Sequence, residues 1–396
     1  MRFVVLAPLF FALPLLAQTW TQLPDFPGTA RDDAAAFNIQ DNLYVGTGRE
    51  VGFGLTNDWW RFNTATETWS QIASLPASPR QYCAAFTVYD TAYVFGGQDD
   101  NGALAELWAY YPLQDQWLQK ASLPAEARSA CAASEGWGYG IVATGMLASG
   151  EPTNEAWRYW PVQDEWEALN PVPGPARHRA AGMPGFNGVV VAGGADSAFA
   201  PLADAWSFAT WFETGEWYPA PALPEARAWL HGASNDLVLL LGGQSEPGVL
   251  HADCWKQGNT GWEALPDFGG GPRKGLVVLG QQESPWNYNC YAGLGIDSAN
   301  VRKKDWWKLD VALAIDEHAA SFIGIFPNPA KNWVKLKFPA GFTGAKVHVS
   351  DALGRSVFDG AVQNNALDVS SFAPGQYVVR GISGTSLVRG TFIKLP

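Results

Sequence analysis

The sequence predicts an all-β chain: a six-bladed β-propeller over residues 18–312, then a small Ig-like β-sandwich over 323–396. Three observations carry this. A unit of about 49 residues recurs six times, a lone strand at the start of the repeats matches the one missing from their end, and the composition changes after residue 312. The 396 residues are 47% hydrophobic, enough for sizeable cores, and 42 glycines with 27 prolines argue against long helices. Twenty tryptophans need a reason, and the repeat supplies it.

Each unit opens on an arginine after a turn: Arg31, Arg80, Arg128, Arg177, Arg227 and Arg273, spaced 49, 48, 49, 50 and 46 residues apart. A first strand follows it, as in 83–90 of the second unit. A second, apolar strand ends in a glycine pair, AYVFGG at 92–97, VVVAGG at 189–194 and VLLLGG at 238–243, with imperfect copies at 44–48 and 141–145. A third carries an acidic residue two before a tryptophan: Asp58/Trp60, Glu106/Trp108, Glu155/Trp157, Asp204/Trp206, Asp253/Trp255 and Asp305/Trp307. The fourth starts at Trp69, Trp117, Trp166, Trp217 or Trp262 and runs to a Leu-Pro or similar turn. Short runs rich in β-formers between turn residues favour strands, and glycine pairs permit positive φ and close backbone packing. With Trp20, these landmarks absorb twelve of the twenty tryptophans.

The sixth unit has Asp305-Trp306-Trp307 but no closing tryptophan strand, while residues 20–24 form a fourth strand with no unit of their own. Supplying one from the other closes a ring and removes sheet edges, which an open solenoid would not need. The sixth unit also departs from the pattern, lacking a clean glycine pair and carrying a longer stretch at 283–288.

The order of arginine, glycine pair, acidic–Trp strand, then tryptophan and Leu-Pro turn resembles the kelch repeat, most clearly in Arg80, Gly96-Gly97, Trp108, Trp117 and Leu123-Pro124. The resemblance implies a propeller with a central channel and places the repeated arginines near its mouth.

Residues 313–322 form a linker, after which tryptophan nearly vanishes and alternating strands appear at 346–351, 376–382 and 387–395. Ile325-Phe326-Pro327-Asn328-Pro329-Ala330, then 349–355 with Gly354-Arg355, then 367–370 with Pro374-Gly375-Gln376-Tyr377, then 390–394, are similar in order and wording to the C-terminal sorting domain of the type IX (Por) secretion system of Bacteroidetes. That resemblance implies recognition by the type IX machinery, passage across the outer membrane, and a cell-surface location, often with an anionic lipopolysaccharide anchor after removal of the domain.

At the other end, Met1-Arg2, an apolar run over 3–16 and the small Ala17 form a secretory signal peptide over 1–17, with cleavage before Gln18. The run is shorter than the ~20 residues that span a bilayer, and no later apolar stretch is long enough. The mature chain is therefore expected to have no transmembrane segment. Lys and Arg total 26 against 38 Asp and Glu, a formal charge of −12 that disfavours nucleic-acid binding. Export permits disulfides, but Cys83 and Cys131 occupy equivalent places three residues after a repeated arginine and read as small buried apolar residues. Neither zinc-type Cys/His spacing nor any cofactor or metal motif is present.

Function is less legible. The chain has no Tyr-His dipeptide of the kind that copper radical oxidases on kelch propellers use, and no GxSxG, P-loop or HExxH. The recurrent carboxylates read as structural because they recur in every unit. A site needs different groups at one point, so irregular residues near the arginines are the candidates: Asp32, Asp33, Gln81, Tyr82, His178, Arg179, Trp229, His231 and Lys274. The six arginines, with Tyr82 and Trp229, either bind an anionic or sugar ligand or, the alternative, brace turns and neutralise neighbouring carboxylates. The leading expectation is an exported glycan- or protein-binding module rather than an enzyme. The second is a sugar epimerase or mutarotase, of the sialic-acid type found among exported kelch propellers, with His178, His231, Asp32 or Asp33 as acid and base. The third is a structural or adhesion component.

Overall fold

A computed structural model describes residues 18–395, apart from residue 137 and segments 186–187, 210–214, 234–237, 259–260, 285–286, 313–320, 339–345, 352–354, 363–364 and 384–385. The signal peptide with Ala17, nearly all of the linker, Gly354 and part of the 283–288 stretch lie outside the described residues, which begin at Gln18. The chain divides into two compact units, Met1–Val311 and Ala312–Pro396.

In the first unit the described residues form six four-stranded antiparallel sheets, one per repeat. The second is typical: Ala84–Val88 innermost, then Thr91–Phe95, Leu107–Tyr111 and Gln116–Lys120. The innermost strands are Ala35–Ile39, Ala84–Val88, Ala132–Glu135, Ala181–Gly185, His231–Ala233 and Val277–Ser284. Each packs on the innermost strands before and after it, and the last returns to the first, so the sheets ring an axis. The sixth sheet is completed from the other end of the chain. Trp20–Leu23 pairs antiparallel with Trp306–Ala312, Trp20 opposite Leu309 and Leu23 opposite Trp306.

The sequence landmarks are the stitches of this ring. The second glycine of each pair (Gly48, Gly97, Gly145, Gly194, Gly243 and Gly295) donates its N–H to the carbonyl of the next unit's arginine at 2.7–3.2 Å, Gly295 closing on Arg31. These glycines sit at φ of 82° to 116°, and a Cβ at Gly243 would lie 2.8 Å from the Ala228 carbonyl oxygen. The sixth unit has this joint after all, with Leu294 at φ 59° standing in the first glycine's place. A second circuit runs outside. The indoles of Trp20, Trp69, Trp117, Trp166, Trp217 and Trp262 donate to carbonyls of Pro266, Pro24, Ala73, Ala121, Asn170 and Pro221 at 2.8–3.1 Å, each tying a sheet to its predecessor. Apolar clusters fill the space between sheets, such as that of Phe37, Trp59, Tyr110 and Trp117.

The second unit packs a five-stranded sheet (Ser321–Phe322, Ser386–Lys394, Gly375–Ser383, Lys346–Asp351 and Ser356–Ala361, in spatial order) and a three-stranded one (Gly324–Phe326, Trp333–Lys337 and Ala366–Asp368). Its core contains Val334, Val347, Val349, Val369 and Val379. The motif residues hold turns and strand ends. Asn328, between Pro327 and Pro329, accepts from Ile393 N–H at 2.9 Å and donates to the Thr391 carbonyl at 3.2 Å, pinning the last strand. Arg355 Nε donates to Asp351 Oδ2 at 2.8 Å. Pro374 precedes the strand that begins at Gly375, and Tyr377 donates to the Ala373 carbonyl at 2.7 Å.

Candidate functional site

The six repeated arginines are buried, at most 4% exposed. Each pairs with the carboxylate of its own unit's acidic–Trp motif at 2.5–2.8 Å: Arg31 with Asp58, Arg80 with Glu106, Arg128 with Glu155, Arg177 with Asp204, Arg227 with Asp253 and Arg273 with Asp305. The motif tryptophan donates its indole N–H to the same carboxylate. Burial alone would raise these carboxyls. Hydrogen bonds from arginine and indole outweigh it and hold Asp58, Glu155, Asp204, Asp253 and Asp305 below the usual range. In five units the guanidinium also donates to the first carbonyl of the glycine-pair position, Thr47, Gly96, Gly193, Gly242 or Leu294. Each of Arg31, Arg80, Arg128, Arg177, Arg227 and Arg273 thus has its guanidinium turned onto its own unit's carboxylate, the arrangement that the bracing alternative describes.

The channel mouth is built two residues further on. Asp33, Tyr82, Ala130, Arg179, Trp229 and Gly275 hold equivalent places, and all six have φ between 52° and 60°. Each of the first five donates its N–H to the carbonyl of the residue before it around the ring, beginning with Asp33 to Gly275 at 2.8 Å. This collar of left-handed residues fixes where the side chains emerge. Five of the six, with His231, Cys83 and Cys131, line one cavity of about 60 Å³. Below it lie cavities of about 130 and 90 Å³ that share lining residues in series down the axis. The channel stays open because its inner strands present alanine: Ala34, Ala35, Ala36, Ala84, Ala85 and Ala133.

Arg179 is the unusual member. Its guanidinium carbon lies 4.7 Å from the ring centroids of both Tyr82 and Trp229. One nitrogen donates to His178 Nδ1 at 2.5 Å, while its Nε is buried with no partner among the described residues. Lys274 Nζ lies 4.9 Å from the Trp229 centroid and donates to Gln244 at 2.7 Å. Asp33 faces this group. Burial, reinforced by Asp32, pushes its carboxyl up to about 7 against the opposing pull of Arg179. Burial and the Asp33 charge take the Tyr82 hydroxyl up to about 12.

The remaining candidates separate. His231 lines the channel, and burial lowers it to about 4, so it is neutral at physiological pH. His178 is fully buried behind the mouth, its ring 4.9 Å from that of Phe199, and burial with Arg179 lowers it to about 4. Asp32 is buried in an ion pair with Arg302 at 2.6 Å. Tyr82, Trp229, Asp33 and His231 thus share one cavity, whereas Asp32 and His178 point away from it. Arg179 and Lys274 supply positive charge at this mouth. Their signal in the sequence was position: two and one residues, respectively, after a repeated arginine, where the other units carry unlike side chains.

Two family models match the chain, the KLHDC2/KLHL20/DRC7 Kelch-repeats domain over residues 9–183 and the secretion system C-terminal sorting domain over 324–394. The chain carries a kelch-repeat domain and a C-terminal type IX sorting domain. The tail implies the type IX machinery as partner and supports secretion to the cell surface. Among solved structures, one titled "Structure of YjhT" is similar at 15% identity and a TM-score of 0.64, over 74% of this chain and 98% of that one. That likeness shows the fold. No curated protein matches. Among the described residues no helix is long and apolar enough to cross a membrane, and no group of three or more ligands stands ready for a metal ion.

Proposed function

We propose that this kelch propeller is a surface-displayed binding protein whose channel mouth takes a carboxylate-bearing sugar, such as the acidic residue at the end of a glycan. The observation that carries this reading is Arg179, which has no carboxylate in ion-pair contact among the described residues while every repeated arginine is neutralised by its own. A guanidinium held between two rings and lacking an ion-pair partner suits a carboxylate, and Lys274 adds a second positive charge. The apolar face of a sugar ring fits against Trp229 or Tyr82. A cavity of about 60 Å³ admits one terminal group rather than a folded segment.

Calorimetric titration of the full chain with N-acetylneuraminate, glucuronate and glucose tests this. The acids are expected to bind, glucose to bind at least tenfold more weakly, and Arg179→Ala to abolish binding of the acids. Equal affinity for glucose and glucuronate sinks the carboxylate reading.

A second reading, sugar epimerisation or mutarotation, is favoured by Asp33. A carboxyl near 7 beside a protonated phenol can exchange protons at neutral pH. Its check is anomer exchange of the same sugars by NMR, with Asp33→Asn as the control. Exchange no faster than in buffer removes the enzymatic reading and leaves the binding one standing.

A further inference from the structure

Successive sheets interlock through one repeated pair of positions. The residue just before the motif tryptophan, on the third strand, packs with a residue on or just before the second strand of the next sheet. Trp59 and Ala92 share a cluster in this way, as do Ala205 and Val238, and Trp306 and Leu43. The same two positions between the fifth and sixth sheets hold Cys254 and Cys290. Both are fully buried, and their thiols hydrogen-bond to each other. Between these two sheets the apolar contact is replaced by two sulphurs.

We infer that Cys254 and Cys290 form a disulfide that fastens the fifth sheet to the sixth, beside the joint where the ring is closed by Trp20–Leu23. Geometry selects this pair among the six that four cysteines allow. Cys83 and Cys131 sit on the channel wall with their thiols turned to the carbonyls of Gly96 and Ser129, at 3.6 and 3.7 Å. The sorting tail supports secretion beyond the reducing cytoplasm, where the oxidised state is accessible. The chemistry is thiol–disulfide exchange with a disulfide-bearing oxidant, either a thiol oxidoreductase or oxidised glutathione. One cysteine thiolate attacks an oxidant sulphur and releases the other as thiolate, giving a mixed disulfide. The second cysteine thiolate then attacks the linked protein sulphur, forming the Cys254–Cys290 bond and releasing the second oxidant thiolate. Two protein thiols lose two protons and two electrons, and the oxidant disulfide becomes a dithiol. Burial of both sulphurs places the step before the fifth and sixth sheets dock, and thereafter shields the bond from reductant.

The test uses the full chain exported into an oxidising compartment, unfolded in urea without reductant and treated with iodoacetamide. Alkylation of Cys83 and Cys131 alone is expected, with a mass roughly 116 Da below that of the chain alkylated at all four thiols (two carbamidomethyl groups and two hydrogens fewer) and a non-reduced peptide pair joining Cys254 to Cys290. Four alkylated cysteines, or a Cys83–Cys131 link, would overturn the inference. The Cys254→Ala/Cys290→Ala variant guards against a folding artefact, because alanine already serves at the equivalent places Ala205 and Ala92. Reductant should lower the Tm of the wild type by roughly 5 °C and leave that of the variant unchanged. A wild-type Tm indifferent to reductant after complete reduction of all four thiols contradicts the fastening role.

Discussion

Replacing Arg177 by alanine separates bracing from binding. The side chain is fully buried and donates to both oxygens of Asp204 at 2.7 and 2.8 Å, to the Gly193 carbonyl at 3.1 Å and to the Pro175 carbonyl at 3.3 Å. Removing one partner of a buried pair costs about 3–5 kcal/mol, because the other charge is left without compensation. The Asp204 side chain is 36% exposed, so water recovers part of that loss and the expected cost falls to about 3 kcal/mol. For a domain of this size the unfolding entropy is ~0.6 kcal/mol/K, which converts that cost into a Tm lower by roughly 5 °C. Arg179→Ala removes no ion pair but loses contacts with two rings and a hydrogen bond to His178, so it should cost about 1–2 kcal/mol. Both variants should be melted by circular dichroism in one buffer, with Arg177→Lys as a partial rescue that keeps the charge but not the fork. An Arg177→Ala melt within a degree of wild type, alongside an unfolded Arg179→Ala, would refute the division of labour between the two arginines.

Further predictions concern pH, closure and the joints. Asp33 is raised to about 7 in the folded chain, so folding binds its proton more tightly and its contribution is lost as pH rises from about 4 to about 7. The full shift would amount to about 4 kcal/mol, and solvent at the open mouth reduces this to about 2. Asp33→Asn should therefore gain Tm over wild type at pH 8 and not at pH 4. A constant difference between the two proteins across that range would show that Asp33 titrates normally. His178 and His231 act in the opposite direction, weakening the fold as pH falls from about 6.5 toward 4, and they are common to both proteins. Deleting residues 18–24 bares the edge of Trp306–Ala312 and should cost more than about 3 kcal/mol or drive association through that edge, read by ultracentrifugation. Gly243→Ala at φ 96° pushes a Cβ against the Ala228 carbonyl and should cost about 2–3 kcal/mol in urea denaturation.

Architecture was legible because each landmark makes one stitch that the ring needs six times. The acidic–Trp motif, the second glycine and the later tryptophan are each bound to one partner type in every unit, so periodicity alone exposed them. The Trp20 strand was legible for the same reason, as the copy missing from the sixth unit. The glycine joint of that unit escaped notice because Leu294 occupies a left-handed position where glycine is the usual choice. The site was harder to see. The arginines drew attention because they repeat, yet repetition marks the brace, and the channel is shaped by the unlike residues two places on. Sequence marked Tyr82, Trp229, Asp33 and His231 as candidates but could not show that Asp32 and His178 turn away, since that follows from the left-handed collar at Asp33 and Arg179. The pairing of Cys254 with Cys290 was hidden for a further reason: the two sit on different strands of neighbouring sheets, at positions related by packing rather than by repeat number.

The central claim is that a carboxylate binds at Arg179 in the channel mouth. A crystal structure of the full chain soaked with glucuronate tests it most directly. The account predicts the sugar carboxylate within about 3 Å of the Arg179 guanidinium, with the ring against Trp229 or Tyr82. A well-ordered sugar bound elsewhere on the propeller, with the Arg179 mouth left to solvent, would contradict it.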